Sequence, residues 1–431
     1  MSPTLWNRSF VLWLLGTAQS QFGSALAGIA LSFLVLHQTG SARQMALTLA
    51  CTLLPSLLMP LAGALVDRWS LKRPLIGADV ARGLLQLTVG SLALVWGEVP
   101  LWLVNTAAVL TGLAGLFAGP AASAAVPALV APTQLARANG LLGSVGRGAW
   151  LLGTLAGGWI VSTWSPPMAI LADGLSFLVM AVLLGWVSLP GRPAAPSVRP
   201  SLWADLRAGL QVMGRSRLLV LAPVIALLLN ASLAPVTAIL PKLFDTLGAS
   251  ATGYGTFLAL ESLGLLAAGL LLVRLGERAA PGHLISAGLL LTAGTYAALW
   301  QCPRTEALLP GAALLGFGFG LVNVPFQTLI QQQVPQAYLG RVFSVLGMVS
   351  SVGMPLSLLL VAPLLDRLPL AVWLGFAALA QGLGWLAWCW GLRTQRDGDG
   401  AVPQSAHGHP AQCAQAPAAQ VDGARSTTSS G

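Results

Sequence analysis

The chain has 431 residues, a mean hydropathy of +0.77, and is 55% hydrophobic and only 8% charged; soluble domains carry about 25% charged residues, so most of this surface must face lipid. Its net charge of +9 comes from 22 basic residues spread thinly between long apolar runs. That pattern excludes a nucleic-acid surface and instead points to topology signalling, because Lys and Arg collect on the cytoplasmic side of membrane proteins.

A spanning helix needs about 20 mainly apolar residues. Charges and turn signals delimit such runs at 10–36, 44–66, 74–96, 101–121, 138–162, 167–189, 217–241, 250–273, 283–301, 307–330, 342–365 and 369–392, twelve in all. The first run is too long for the apolar core of a cleaved leader and is expected to stay as a helix. Val99 to Ala136 holds one span, followed through Pro120, Pro127 and Pro132 by a helix end and an amphipathic connector. Cys51, Cys302, Cys389 and Cys413 have neither disulfide nor zinc spacing.

With the N-terminus in the cytoplasm, Arg43, Lys242, Arg304 and Arg367 fall outside. The other 18 of the 22 basic residues fall on cytoplasmic segments or helix ends. This asymmetry supports an even number of spans with both termini cytoplasmic. The expected class is all-α integral membrane, with two six-helix halves at 1–189 and 217–392. Between them, 190–216 is rich in Pro, Ser and Arg and reads as a cytoplasmic linker, in which Leu202 to Arg215 suits a short amphipathic helix at the membrane surface. The polar stretch 393–431 reads as a disordered cytoplasmic tail. A faint internal repeat pairs Gly63–Arg68 with Gly269–Arg274, and Pro132 and Arg137 with Pro335 and Arg341. Two repeated halves are a transporter signature.

The segment Gly63-Ala64-Leu65-Val66-Asp67-Arg68-Trp69-Ser70-Leu71-Lys72-Arg73 resembles the loop between helices two and three of the major facilitator superfamily, whose pattern is Gly-x-x-x-Asp-Arg-x-x-x-Arg/Lys-Arg/Lys. The resemblance runs from Trp6 to about Leu392. Asp79-Val80-Ala81-Arg82, Val126-Pro127-Ala128-Leu129-Val130, Ala136-Arg137-Ala138-Asn139-Gly140 and Gly340-Arg341-Val342-Phe343-Ser344 are similar to its macrolide-efflux and siderophore-exporter branch. Helix five departs from the efflux pattern Gly-Pro-x-x-Gly-Gly: it reads Gly153-Thr154-Leu155-Ala156-Gly157-Gly158, keeping the small residues and losing the Pro. In the second-half loop Val273 stands where the first half has its Asp.

Charge in a bilayer costs a few kcal/mol even on lenient scales, about 2.5–3.5, so each buried charge needs a partner or a role. The resemblance implies a gate loop of Gly63, Asp67, Arg68, Lys72 and Arg73, with Asp67 as a latch to the other half, braced by Asp79 and Arg82. The last two are spaced i and i+3 and can pair. Glu261 falls mid-way along helix eight among apolar and small residues. A carboxyl there is costly to charge and suits a proton carrier or a partner for a cationic substrate. Asp173 in helix six is the second proton-coupling candidate, although that helix is usually peripheral in this fold. Arg147, in the first turns of helix five, is expected to face the central cavity or a cytoplasmic carboxylate. Gln19, Gln21, Asn230, Asn323 and Gln327 lie on helices that the fold turns towards that cavity. Their alternative role is interhelical hydrogen bonding. Trp6, Trp13, Trp96, Trp102, Trp164, Trp186, Trp203, Trp300 and Trp390 sit near span ends and suit an interfacial belt.

No P-loop, metal cluster or nucleophile motif stands in the sequence, so neither enzyme chemistry nor a cofactor is expected. The expected function is secondary active, proton-coupled efflux of a small lipophilic, drug- or siderophore-like compound by a monomer working through alternating access. The expected partners are that small molecule, protons and the lipid bilayer. Two rivals share the composition. A nutrient uniporter or symporter would favour a more polar cavity lining. A non-transporting scaffold or lipid exporter is harder to reconcile, for the scaffold at least, with a gate loop that a rigid protein does not need.

Overall fold

The computed structural model describes residues 5–59, 71–189, 207, 210–214, 217–334 and 336–400. Helices make up the described chain: α1 (Arg8–Thr39), α2 (Ala42–Leu53, continued as a 3-10 turn over Leu54–Leu58), α3 (Lys72–Trp96), α4 (Leu101–Leu129), α5 (Leu135–Thr163), α6 (Pro166–Trp186), α7 (Arg217–Thr246), α8 (Ser250–Leu275), α9 (Pro281–Gln301), α10 (Thr305–Gln333), α11 (Gln336–Leu365) and α12 (Leu370–Gly400). Ten helices among the described residues are long and apolar enough to cross a membrane, and Ala42–Leu58 is a shorter apolar helix. Away from its ends a helix satisfies its backbone groups internally, which is why hydrocarbon selects helices.

Several boundaries differ from the sequence expectation. α4 does not stop near residue 121 but runs to Leu129, through Pro120 and Pro127. The run Ala121 to Ala125 is rich in the strongest helix former, and Ala121 and Ala125 are fully buried, so packing holds the turns that the prolines weaken. α12 continues beyond residue 392 to Gly400, so the tail expected to be disordered begins as helix; residues 401–431 lie outside the described residues. Residues 60–66 of the expected span 44–66 and most of the linker 190–216 also lie outside them. Of the amphipathic segment 202–215, Arg207 and residues 210–213 are helical, and Val212 and Met213 are buried against Ile330, Val342 and Val345. Trp96, Trp102, Trp164, Trp186, Trp300 and Trp390 are more than half exposed, as a belt requires, but Trp13 is buried in the core and Trp203 lies outside the described residues.

Two sets of helices pack within themselves. α1 packs on α5 and α6, and α3 on α4 and α6; in the other set α8 packs on α10, α9 on α10 and α12, and α7 on α11 and α12. The sets meet mainly through α5–α8, α2–α11 and α2–α7. The apolar clusters shared by the two sets lie towards one end of the bundle. The apolar cluster that joins Leu36, Val161, Phe244, Tyr254 and Tyr296 spans both sets, as does the one that joins Ala42, Ala46 and Ala50 to Ala238, Leu358 and Ala362. At the opposite end each cluster stays within its own set: Phe10, Leu129, Ala138 and Leu184 in one, Ile330, Val334 and Val345 in the other.

Backbones touch at the α5–α8 contact. A Cβ on Gly158 would lie 2.6 Å from the Ala251 carbonyl oxygen, and one on Gly255 2.5 Å from that of Thr154. Gly153 and Gly157 do the same for α5 on α1, against Phe22 and Leu26. The small residues that helix five keeps therefore serve both of its interfaces. Gly40 turns the chain from α1 into α2 with φ of 61°, and its N–H bonds the Leu36 carbonyl, closing the α1 C-terminus.

Gly255→Val places two methyl groups against fixed backbone. The expected cost is about 1–3 kcal/mol of overpacking, read as a lower midpoint of thermal unfolding in detergent; an unchanged midpoint contradicts the close α5–α8 contact.

Candidate functional site

The first polar cluster lies between α1, α3, α4 and α6. Asp173 is 1% exposed and Asp79 is 6% exposed. Asp173 accepts from Gln86 Nε2 at 3.1 Å and from Ser176 Oγ at 3.4 Å, and Ser24 adds a further side-chain hydrogen bond. Arg82 interacts electrostatically with both Asp79 and Asp173. Its Nε donates to the Thr111 carbonyl at 3.4 Å, and its guanidinium lies 5.1 Å from the centre of the Phe177 ring. Gly115 leaves room for that guanidinium, where a side chain would collide with it. Asp79 and Arg82, spaced i and i+3, interact electrostatically, while Arg82 reaches towards α4 and α6. Two carboxyls share one guanidinium here, so the cluster is neutral only when it holds one proton.

Gln19 Nε2 donates to the Ser176 carbonyl at 2.7 Å, so this cavity candidate ties α1 to α6 beside the cluster. Gln21 is exposed and faces Gly146 of α5, one residue from the exposed Arg147. Asn323 and Gln327 are exposed on α10, and Asn323 donates to its own helix at Phe319. Asn230 is half-buried and donates to Ala226 at 2.8 Å.

Glu261 stands in the other set of helices. It is half-buried midway along α8 and forms no hydrogen bond or ion pair among the described residues, while the buried Tyr254 and Tyr296 lie close enough to interact with it electrostatically. Its backbone is fixed by α10, because Gly316 packs directly on the Glu261 carbonyl. Asp173, on α6 against α1 and α3, and Glu261, on α8 against α10, belong to separate environments.

Of the gate loop, Gly63, Asp67 and Arg68 lie outside the described residues. Lys72 donates to the carbonyls of Gly185 at 2.6 Å and Val187 at 3.1 Å. A cation at the end of α6 suits the negative pole of that helix. Arg73 is exposed.

The sequence reading missed the polar group at the joined end of the bundle. Asp366, just beyond α11, accepts from Ser41 Oγ, from the backbone N–H of Ala42 at 2.8 Å and Arg43 at 3.2 Å, and from Lys242 Nζ at 2.9 Å. Burial pushes the Asp366 carboxyl up, but the bonds from Ser41, Lys242 and the two backbone N–H groups outweigh it and hold it at about 2. Ser41 and Gln44 have the spacing of a helix N-terminal cap, and Ser41 does accept from the Gln44 N–H. That much was legible; the partner 325 residues away was not.

The chain matches the Major Facilitator Superfamily over residues 13–358 and again over 222–417. It belongs to that superfamily. It is 25% identical to macrolide efflux protein A of Streptococcus pyogenes over 376 residues, 85% of this chain and 92% of that protein. It is 26% identical to the multidrug efflux pump Tap of Mycobacterium tuberculosis (strain ATCC 25618 / H37Rv) over 368 residues, 82% and 86% of the two chains. The fold is that of a bacterial homologue of the iron transporter ferroportin in an inward-facing state, with a TM-score of 0.69 at 16% identity, covering 89% of this chain and 98% of that one. The nucleoside transporter NupG superimposes with a TM-score of 0.69 at 12% identity, covering 90% and 99%. The protein is therefore a multi-pass membrane transporter with efflux-pump relatives, and not an enzyme.

Arg82→Ala leaves Asp79 and Asp173 buried without their cation. The expected loss is about 3 kcal/mol or more, seen as a sharp fall in monodisperse protein on size exclusion. Adding Asp173→Asn to that variant is expected to restore part of the yield, because the second buried charge is then gone; no rescue contradicts the shared-cation arrangement.

Proposed function

We propose that this transporter exports a small lipophilic, drug- or siderophore-like compound in exchange for protons, by alternating access between two six-helix halves, 1–189 and 217–392. The observation that carries this reading is that the two sets of helices are joined at one end of the bundle and separate at the other. In the proposed topology, with both termini cytoplasmic and twelve spans in a cell membrane, the joined end is the outer one. The structure is then in its inward-facing state, ready to load from the cytoplasm or the inner leaflet. One monomer suffices, since the pathway runs between its own halves.

Proton exchange needs a group that is neutral in one state and charged in the other, with different affinity for a proton in each. Glu261 suits this best. It is half-buried, unpaired among the described residues, and sits on α8, the helix whose first turns form the contact between the halves. When the halves separate at the outer end, α8 loses α5 as a neighbour and the surroundings of Glu261 change with it. Asp173 is held by Gln86 and Ser176 inside one half, so its surroundings change less on rocking. We assign it the secondary role. Gln21 and Arg147, on adjoining faces of α1 and α5, and Asn323 and Gln327 on α10 are the proposed lining of the cavity.

The test is proton movement in inside-out vesicles with an acid interior, across a panel of macrolides, dyes and siderophores. Wild type is expected to dissipate the gradient when an exported compound is added, and Glu261→Gln to lose at least about nine-tenths of that response. Equal dissipation by the variant removes Glu261 from the mechanism and leaves Asp173 and Arg147. A gradient that no compound disturbs removes proton exchange for that panel.

A further inference from the structure

We propose that Asp366 and Ser162 hold the outer end shut by capping, each from the opposite half, the first turn of a helix at the interface. The first backbone N–H groups of a helix have no partner within it. At α2 the helix's own cap, Ser41, satisfies only Gln44; the N–H groups of Ala42 and Arg43 are satisfied by Asp366 from the end of α11. At α8 the residue in the cap position is Ala249, which offers no side-chain acceptor. Here the Thr252 N–H goes to Ser162 Oγ of α5 at 3.0 Å, and the Thr252 hydroxyl meets the same oxygen at 2.8 Å. Ser250, the non-glycine residue with positive φ (49°) among those described, turns the chain at this point, 3.2 Å from Ser162 across the two hydroxyls. Two helices thus begin at the interface, and both are completed by a side chain from the end of the helix they pack on.

The caps, not the ion pair, carry the closure. Lys242 and Asp366 side chains are 35% and 32% exposed, and pairs so open to water contribute little. Exchanging an N-cap for Ala weakens the start of its helix, and an anion at the positive pole of a helix strengthens it further. Opening the outer end strips both helices of these partners together. Lys242 from α7 faces the Asp366 carboxylate, and α2 faces it with Ser41 and two N–H groups. Held at about 2, below an ordinary carboxylate value of about 4, the carboxylate contributes fully above pH 4 and loses that contribution only as pH falls towards 2. Acid outside the cell is therefore not expected to release it.

This inference rests on the alternating-access reading. The experiment measures distances between spin labels at Glu98→Cys and Arg304→Cys, on the outer ends of the two halves, in nanodiscs and with the native cysteines replaced. Asp366→Ala is expected to raise the ratio of outer-open to outer-closed molecules about tenfold and Ser162→Ala about threefold. Lys242→Ala is expected to change it less than twofold, and Asp366→Asn, which keeps an acceptor, less than Asp366→Ala. The factor for Asp366→Ala is expected to be the same at pH 8 and pH 5. If Lys242→Ala matches Asp366→Ala, or if Asp366→Ala changes nothing, the capping proposal is overturned. Gly158→Leu, a wedge in the α5–α8 contact, separates the two levels: if it opens the outer end and the cap variants do not, alternation stands and the caps fall. If no variant opens it, both fall. Should Asp366→Ala not fold, the ordering of Asp366→Asn, Lys242→Ala and Ser162→Ala decides alone.

Discussion

The contact between α5 and α8 is a contact between backbones. Lipid is as apolar as a leucine side chain, so helices in a membrane gain little from hiding hydrophobic surface from it and associate mainly where they can come close. Gly158 and Gly255 permit that approach, with the Ala251 and Thr154 carbonyls on the facing strips. The approach brings Ser162 within reach of the Thr252 N–H. It also fixes the start of α8 against the neighbouring half, and Glu261 lies along the same helix. Further on, Gly264, Gly316 and Gly320 do the same for α8 and α10. α8 is therefore clamped between a partner it keeps, α10, and one that the proposed cycle requires it to leave, α5.

The buried charges divide by how completely they are answered. Asp173 has Gln86, Ser176, Ser24 and the field of Arg82; Arg82 has Asp79, Asp173, the Thr111 carbonyl and a ring face. A group with that many partners inside one set of helices stiffens the set, and its environment moves with it as a body. Glu261 has two tyrosines nearby and no bond among the described residues. An unanswered carboxyl in a low-dielectric setting is costly to charge, so structure alone gives no reason to keep it. Within the proposed proton exchange, the asymmetry favours Glu261 as the working group and the Asp79–Arg82–Asp173 cluster as a frame.

Composition and hydropathy were enough to read the class and the long spans, and the segment Gly63–Arg73 carried the resemblance to the family. The details they missed have identifiable causes. α4 crosses two prolines because buried alanines hold it, and burial is not visible in a run that is apolar throughout. Trp13 sits one turn from the expected interface but faces inwards, a choice made by helix rotation and not by position along the chain. Gln19 lies on a helix that borders the cavity in related folds, yet its amide is used on the Ser176 carbonyl. Asp366 escaped notice because it lies at a helix end, where a charge costs little and attracts no suspicion. Its meaning comes from Ser41, more than 300 residues away.

The two trans caps have a relation that neither shows alone. In the two-half reading α2 and α8 occupy equivalent places, as do α5 and α11. A side chain at the end of α5 completes α8, and one at the end of α11 completes α2. The repeat that appears in sequence only as a few glycines, prolines and arginines thus reappears as one device used twice, in different chemistry: a hydroxyl on one side of the interface and a carboxylate on the other. A hydroxyl can both give and accept a bond, and it exchanges readily with water when the halves part. A carboxylate with Lys242 beside it carries charge into the contact and gives it direction. Of the two proposed caps the hydroxyl is therefore the weaker, and the helix it completes, α8, is the one that also carries Glu261.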